Sequence, residues 1–236
     1  MSHCMVTLTA NAGISLVLGQ KVIWIDALHS HRVPGFSTLS PELWAQLQRH
    51  PAFQAPDLIC FTHCHGDHYD HDLVQQACWA WPRAKLILPE QAFPHQFFLE
   101  GPSMEFVFQD TVLHFFRLPH EGKAYAQVPH YGLLLSQNRF RILIAGDCEV
   151  ASPALRDTLA GQAVNLAILD FPWLTLPQGR AFVREVILPE HLLVYHLPFP
   201  EDDCFGYRKA AEWAVGKLPE VPDIRLLEAP FQSEII

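Results

Sequence analysis

The run Thr62-His63-Cys64-His65-Gly66-Asp67-His68-Tyr69-Asp70-His71 sets three imidazoles and a carboxylate within six residues, His63 to His68. It follows the apolar segment Asp57-Leu58-Ile59-Cys60-Phe61 and precedes a helix-like one, Asp72 to Cys78. Alternate side chains on an extended strand project to one side, so His63 and His65 can reach a common point. Where the chain bends towards the helix, Asp67 and His68 are offered to a second point nearby. Neutral imidazoles and carboxylates suit zinc, iron or manganese. With no thiolate in the set, a coordination position can stay open for water. A histidine-rich surface loop is the bland alternative, and it has no reason to follow a buried strand.

Flanking elements must hold this stretch in place. Val6–Thr9 and Ile14–Leu18 alternate as strands, and Gly19-Gln20-Lys21 turns into Val22–Ile25, a buried strand ending at Asp26. Ser40 and Pro41 read as the cap and first position of a helix running towards His50. Ala84–Leu88 is the next strand, and residues 89–104 are rich in Pro and Phe without a period. Met104–Phe108 and Val112–Leu118 form a strand pair that closes on Pro119-His120-Glu121-Gly122, with His114 inside it as a core or edge histidine. His130–Leu135 and Phe140–Ala145 form a hairpin around Ser136–Arg139, followed by Gly146-Asp147. Ser152 caps a helix to Leu159, Val164–Asp170 is a buried strand, and Phe171-Pro172-Trp173 is a loop. A helix over 178–187, a strand Leu192–His196, a helix over about 205–218 and a strand over 224–227 complete an α/β pattern.

His63-Cys64-His65-Gly66-Asp67-His68 resembles the HxHxDH signature of the metallo-β-lactamase fold superfamily of metal-dependent hydrolases. The resemblance covers nearly the whole chain. It implies one domain over 1–236, a four-layer αββα sandwich of two mixed β-sheets with helices on the outer faces. It also implies that Asp26 hydrogen-bonds the loop carrying the histidines, and that His63, His65 and His120 hold one metal. Asp67, His68 and His196 would hold a second, with Asp147 bridging the two. His130 competes with His120 for the third-motif position; His120 is preferred because it stands in a strand-to-loop break, where a ligand can project. The extension Asp67-His68-Tyr69-Asp70 is similar to the form found in ascorbate-6-phosphate lactonase-like and N-acyl-phosphatidylethanolamine phospholipase-like members.

On that resemblance the expected activity is a dinuclear hydrolase with two divalent transition-metal ions, zinc first, with manganese and iron as the other candidates. A hydroxide shared by the metals would attack a small ester, lactone or phosphodiester, and Asp67 and Asp147 would be the catalytic carboxylates. Substrate choice would lie in loops 27–40, 89–103 and 171–178, with His29 and His31 at the site mouth and His130 and Trp173 as candidate pocket residues. Cys64 and Cys148 read as loop fillers rather than nucleophiles. Two other classes stand beside this one. A dinuclear iron redox protein on the same fold would need a redox partner or a sulfur substrate. A metal-binding interaction protein would bind metal and catalyse nothing.

Composition narrows the field. The 236 residues are 50% hydrophobic and 17% charged, enough for a full core and too apolar for a disordered chain. A net charge of −9 without a Lys/Arg cluster argues against broad contact with a nucleic-acid backbone, so a small-molecule partner is expected. The longest apolar stretch near the N-terminus, Ile14–Leu18, is too short for a signal core or a membrane span. Six cysteines lie at 4, 60, 64, 78, 148 and 204 with no CxxC pair, so a reducing, cytoplasmic setting without disulfides is expected. Oligomeric state is left open.

Overall fold

The computed structural model describes residues 4–236, folded as two compact units. The first comprises residues up to 98 together with 196–205 and 227–236. Its seven-stranded sheet begins with β1 (Cys4–Leu8), β2 (Ile14–Leu18) and β3 (Lys21–Ile25), antiparallel to one another. β4 (Leu58–Cys60), β5 (Lys85–Leu88) and the two-residue β6 (Phe97–Phe98) continue it in parallel. The strand Ser233–Ile235 pairs antiparallel with β1 and closes the other edge. The parallel strands read as unbroken apolar runs because both of their faces are covered; every residue of β4 is buried.

Two short α-helices belong to this unit, each capped by a side chain. In α1 (Pro41–Leu47) the Ser40 hydroxyl accepts from the Leu43 N–H at 3.2 Å, and Trp44 and Leu47 turn inward. In α2 (His71–Ala80) Asp70 does the same for Leu73 at 2.9 Å, and Val74 and Ala77 are buried. Asp70 also takes a hydrogen bond from Ser30. The last carboxylate of the motif extension therefore anchors a helix.

The second unit comprises 99–195 and 206–226. Its sheet runs β7 (Ser103–Phe108), β8 (Thr111–Arg117), β9 (Tyr131–Gln137) and β10 (Phe140–Ile144), all antiparallel. β11 (Leu166–Asp170), β12 (His191–Tyr195) and β13 (Asp223–Leu226) then extend it in parallel. Its helices are α3 (Pro153–Leu159), α4 (Pro172–Thr175), α5 (Pro177–Phe182), which runs on as a π-turn over Val183–Ile187, and α6 (Tyr207–Val215). Two mixed seven-stranded sheets with helices are the elements of the expected sandwich.

Several local expectations change. The aperiodic stretch 89–104 contains β6, too short to show a period, and the strand Ser233–Ile235 lies beyond the last expected element. The loop expected at Phe171–Trp173 is the start of α4. Ser152 precedes α3 but makes no side-chain cap. The β9–β10 turn tightens to Asn138 and Arg139, with Asn138 at φ 56°, because the strands pair as far as Gln137 and Phe140.

Candidate metal centre

The donors cluster where strands end. His63 follows β4 by two residues, Asp26 caps β3, Asp147 comes shortly after β10 and His196 directly after β12. The carboxyl ends of parallel strands are where chain direction changes and side chains are freed from the sheet.

In the first unit, Asp26 has no accessible surface and organises what surrounds it. Its Oδ1 accepts from the Thr62 N–H at 2.7 Å, and its Oδ2 accepts from the Thr62 hydroxyl at 2.7 Å. The same Oδ2 lies 3.1 Å from His68 Nδ1. These bonds settle two tautomers. Thr62 has one hydroxyl proton, and Asp26 takes it, so at 3.0 Å the threonine oxygen accepts from His63 Nδ1. His68 likewise gives its Nδ1 proton to the carboxylate. Both imidazoles are left with an Nε2 lone pair for a metal.

His68 Nε2 is 3.1 Å from His196 Nε2, which is 3.8 Å from Asp67 Oδ2. Two ligands on one tetrahedral zinc, each about 2.1 Å from it, stand about 3.4 Å apart. These spacings bracket that value, and the donor chemistry fits a divalent transition metal. The His63 and His65 rings meet edge-on, centroids 4.7 Å apart.

His196 is held by its backbone. Its N–H donates to the Asn11 carbonyl at 3.0 Å, and both residues adopt left-handed conformations, φ 60° and 45°. Asp26 does so too, at 51°. Three non-glycine residues in this region around one site are stored strain of the kind that functional sites carry. The Asn11 side chain is fully buried with neither amide atom hydrogen-bonded.

His29 and His31 were expected at the site mouth. His29 is instead fully buried, Nε2 2.8 Å from the Ala10 carbonyl, and burial pushes its pKa down to about 4. His31 is exposed, and its N–H donates to the Gly66 carbonyl at 3.2 Å. A Cβ at Gly66 would come within 2.7 Å of His31 Cβ, so the glycine in the motif permits that approach.

In the second unit His120 Nδ1 bonds the Glu121 carbonyl at 2.8 Å, again leaving Nε2 as the donor, 3.9 Å from Asp147 Oδ2. An isolated bridge between His120 and Cys148 brings the two loops together. His130 lies with its ring 5.4 Å from that of His120 and has no accessible surface. Trp173 is also fully buried, edge-on to Phe182 and against the backbone at Gly179. Burial pushes the thiols of Cys64 and Cys148 far above the ordinary range, so neither supplies a thiolate near neutrality. All six cysteines are free.

Sequence reasoning missed Asn11 as the residue that grips His196. The Asn11-Ala12-Gly13 turn was visible; which strand end it would meet was not.

The fold is the metallo-β-lactamase fold, and Asp67, His68 and His196 could hold a metal ion. Igni18, a metallo hydrolase from Ignicoccus hospitalis, superposes with TM-score 0.68 at 13% identity, over 100% of this chain and 99% of its own. The metallo-β-lactamase fold protein YhfI of Bacillus subtilis gives 0.66 at 12% identity over the whole of both chains. CmlA, a diiron β-hydroxylase from Streptomyces venezuelae, gives 0.70 at 12% identity over 100% of this chain and 54% of its own. No protein-family model and no curated protein matches the sequence. Among the described residues no helix is long and apolar enough to cross a membrane.

Proposed function

We propose that the chain is a metal-dependent hydrolase of a small ester, lactone or phosphodiester, working as one domain over 1–236 with two divalent transition-metal ions. Zinc is the first choice of ion. In this reading His63, His65 and His120 hold one ion, Asp67, His68 and His196 hold the other, and Asp147 serves both. The observation that carries it is the grouping of donors. Within the first unit, one ligand atom each from Asp67, His68 and His196 falls within 4.8 Å of the others.

When bound, the ions supply an acidified water and a Lewis acid for the oxygen on which charge develops. The chain's own residues do the rest. Asp26 and Thr62 fix the imidazole tautomers so that Nε2 points to the ligand. Asp67 has a second oxygen with which to orient the attacking water and receive its proton. Asp147 would supply a carboxylate to offset the charge of the ions when they are bound. No serine or cysteine nucleophile is required.

Elemental analysis after reconstitution with zinc, manganese or iron, joined to an activity panel of lactones, thioesters and phosphodiesters, tests this. Up to two ions per chain and turnover of one substrate class are expected. A protein that takes up no metal sinks the reading. The likeness to CmlA favours a second one, a diiron redox centre. An iron-dependent absorption band with no hydrolysis would select it.

A further inference from the structure

Phe36 touches the candidate ligand His196, ring centroids 4.7 Å apart and edge-on, and it also lines a cavity of about 450 Å³ in the first unit. Phe199, three residues beyond His196, supplies a second aromatic wall. The two segments are tied together. The Phe199 N–H donates to the Ser37 hydroxyl at 2.8 Å, and that hydroxyl donates to Asp202 at 2.8 Å. The cavity is thus a built extension of the loop that presents His196.

Its charge is one-sided. Glu42, Glu201 and Asp202 line it, and among the described residues Arg32 is the one cation that does. The Arg32 side chain is 84% exposed and 3.9 Å from Asp202, a loose pair that solvent screens. Aromatic faces carry negative charge density and attract cations, and the carboxylates add to that attraction. An anion would face three carboxylates.

We propose that this cavity is a subsite for an organic cation, an ammonium or quaternary ammonium group borne by the substrate. The substrate role rests on the hydrolase reading; the binding of the cation does not.

Choline, its neutral carbon isostere 3,3-dimethylbutan-1-ol and the anion 3,3-dimethylbutanoate share one shape and differ in charge. Titrated into the protein without added metal and at low ionic strength, choline should bind at least tenfold more tightly than either. Glu201→Gln, at an exposed position, and Phe199→Leu should each weaken choline at least threefold. Tighter binding of the butanoate, abolished by Arg32→Ala, would overturn the proposal in favour of an anion subsite. Equal binding of all three, or none, would overturn it outright. Hydrolysis is read separately on the zinc-loaded protein. Choline binding with no turnover of any ester, quaternary ammonium esters included, would remove the hydrolase reading and keep the cation site. Turnover of neutral esters with no choline binding would remove the cation site alone.

Discussion

Asp26 Oδ2 lies 3.1 Å from Nδ1 of His68, and neither side chain has any accessible surface. A buried carboxylate behind an imidazole fixes which nitrogen carries the proton and raises the basicity of the other. Asp26→Asn keeps the volume but faces the Thr62 N–H or His68 with an NH2 group. It should lower metal affinity about 10–100-fold. Competition against a chromophoric chelator measures this; unchanged affinity would reduce Asp26 to a packing residue.

The choice between His120 and His130 is open to direct test. His120→Ala removes an imidazole donor and should lose one ion and nearly all turnover. The same change at His130, buried behind it, should leave metal content intact while costing stability. The reverse pattern in metal analysis would move the ligand ten residues along the chain.

Asp147→Asn keeps size and loses charge and one anionic oxygen. Far-ultraviolet dichroism should stay native, one ion should be retained, and most turnover should be lost. Two ions and a near-normal rate would make Asp147 a strand-end residue and leave the charge between the metals to another group.

The Trp173 side chain is fully buried and edge-on to Phe182. Trp173→Ala should lower stability by about 3–5 kcal/mol through the cavity it leaves. Urea unfolding followed by dichroism reads this. A large change in substrate preference at unchanged stability would restore its place at the site.

His191 and Asp223 face each other across β12 and β13, 2.7 Å apart, and Arg225 bonds the same carboxylate. Arg225 first, then His191, hold the Asp223 carboxyl below its usual 3.8. A lowered folded pKa means the carboxylate form stabilises the fold. Its contribution is complete above pH 3.8 and is lost as pH falls through the lower folded value. Asp223→Asn should therefore lower the melting temperature at pH 6. The gap should close on acidification below that range.

The sequence alone determined the chemistry on offer. Three histidines and an aspartate packed around Gly66, strands that end where donors begin, and the Ser40 cap are local features. Spacing and propensity express such features directly. The same is true of the strands that alternate or run apolar. Two-residue β6 and the edge strand Ser233–Ile235 were not legible, because pairing with neighbours far away in sequence makes them strands, not their own period. The fate of the remaining histidines was decided only in three dimensions. His29 and His130 look alike along the chain, yet one bonds a turn carbonyl and the other is buried beside His120. Burial and partner depend on which strand ends meet, and that is fixed by long-range packing.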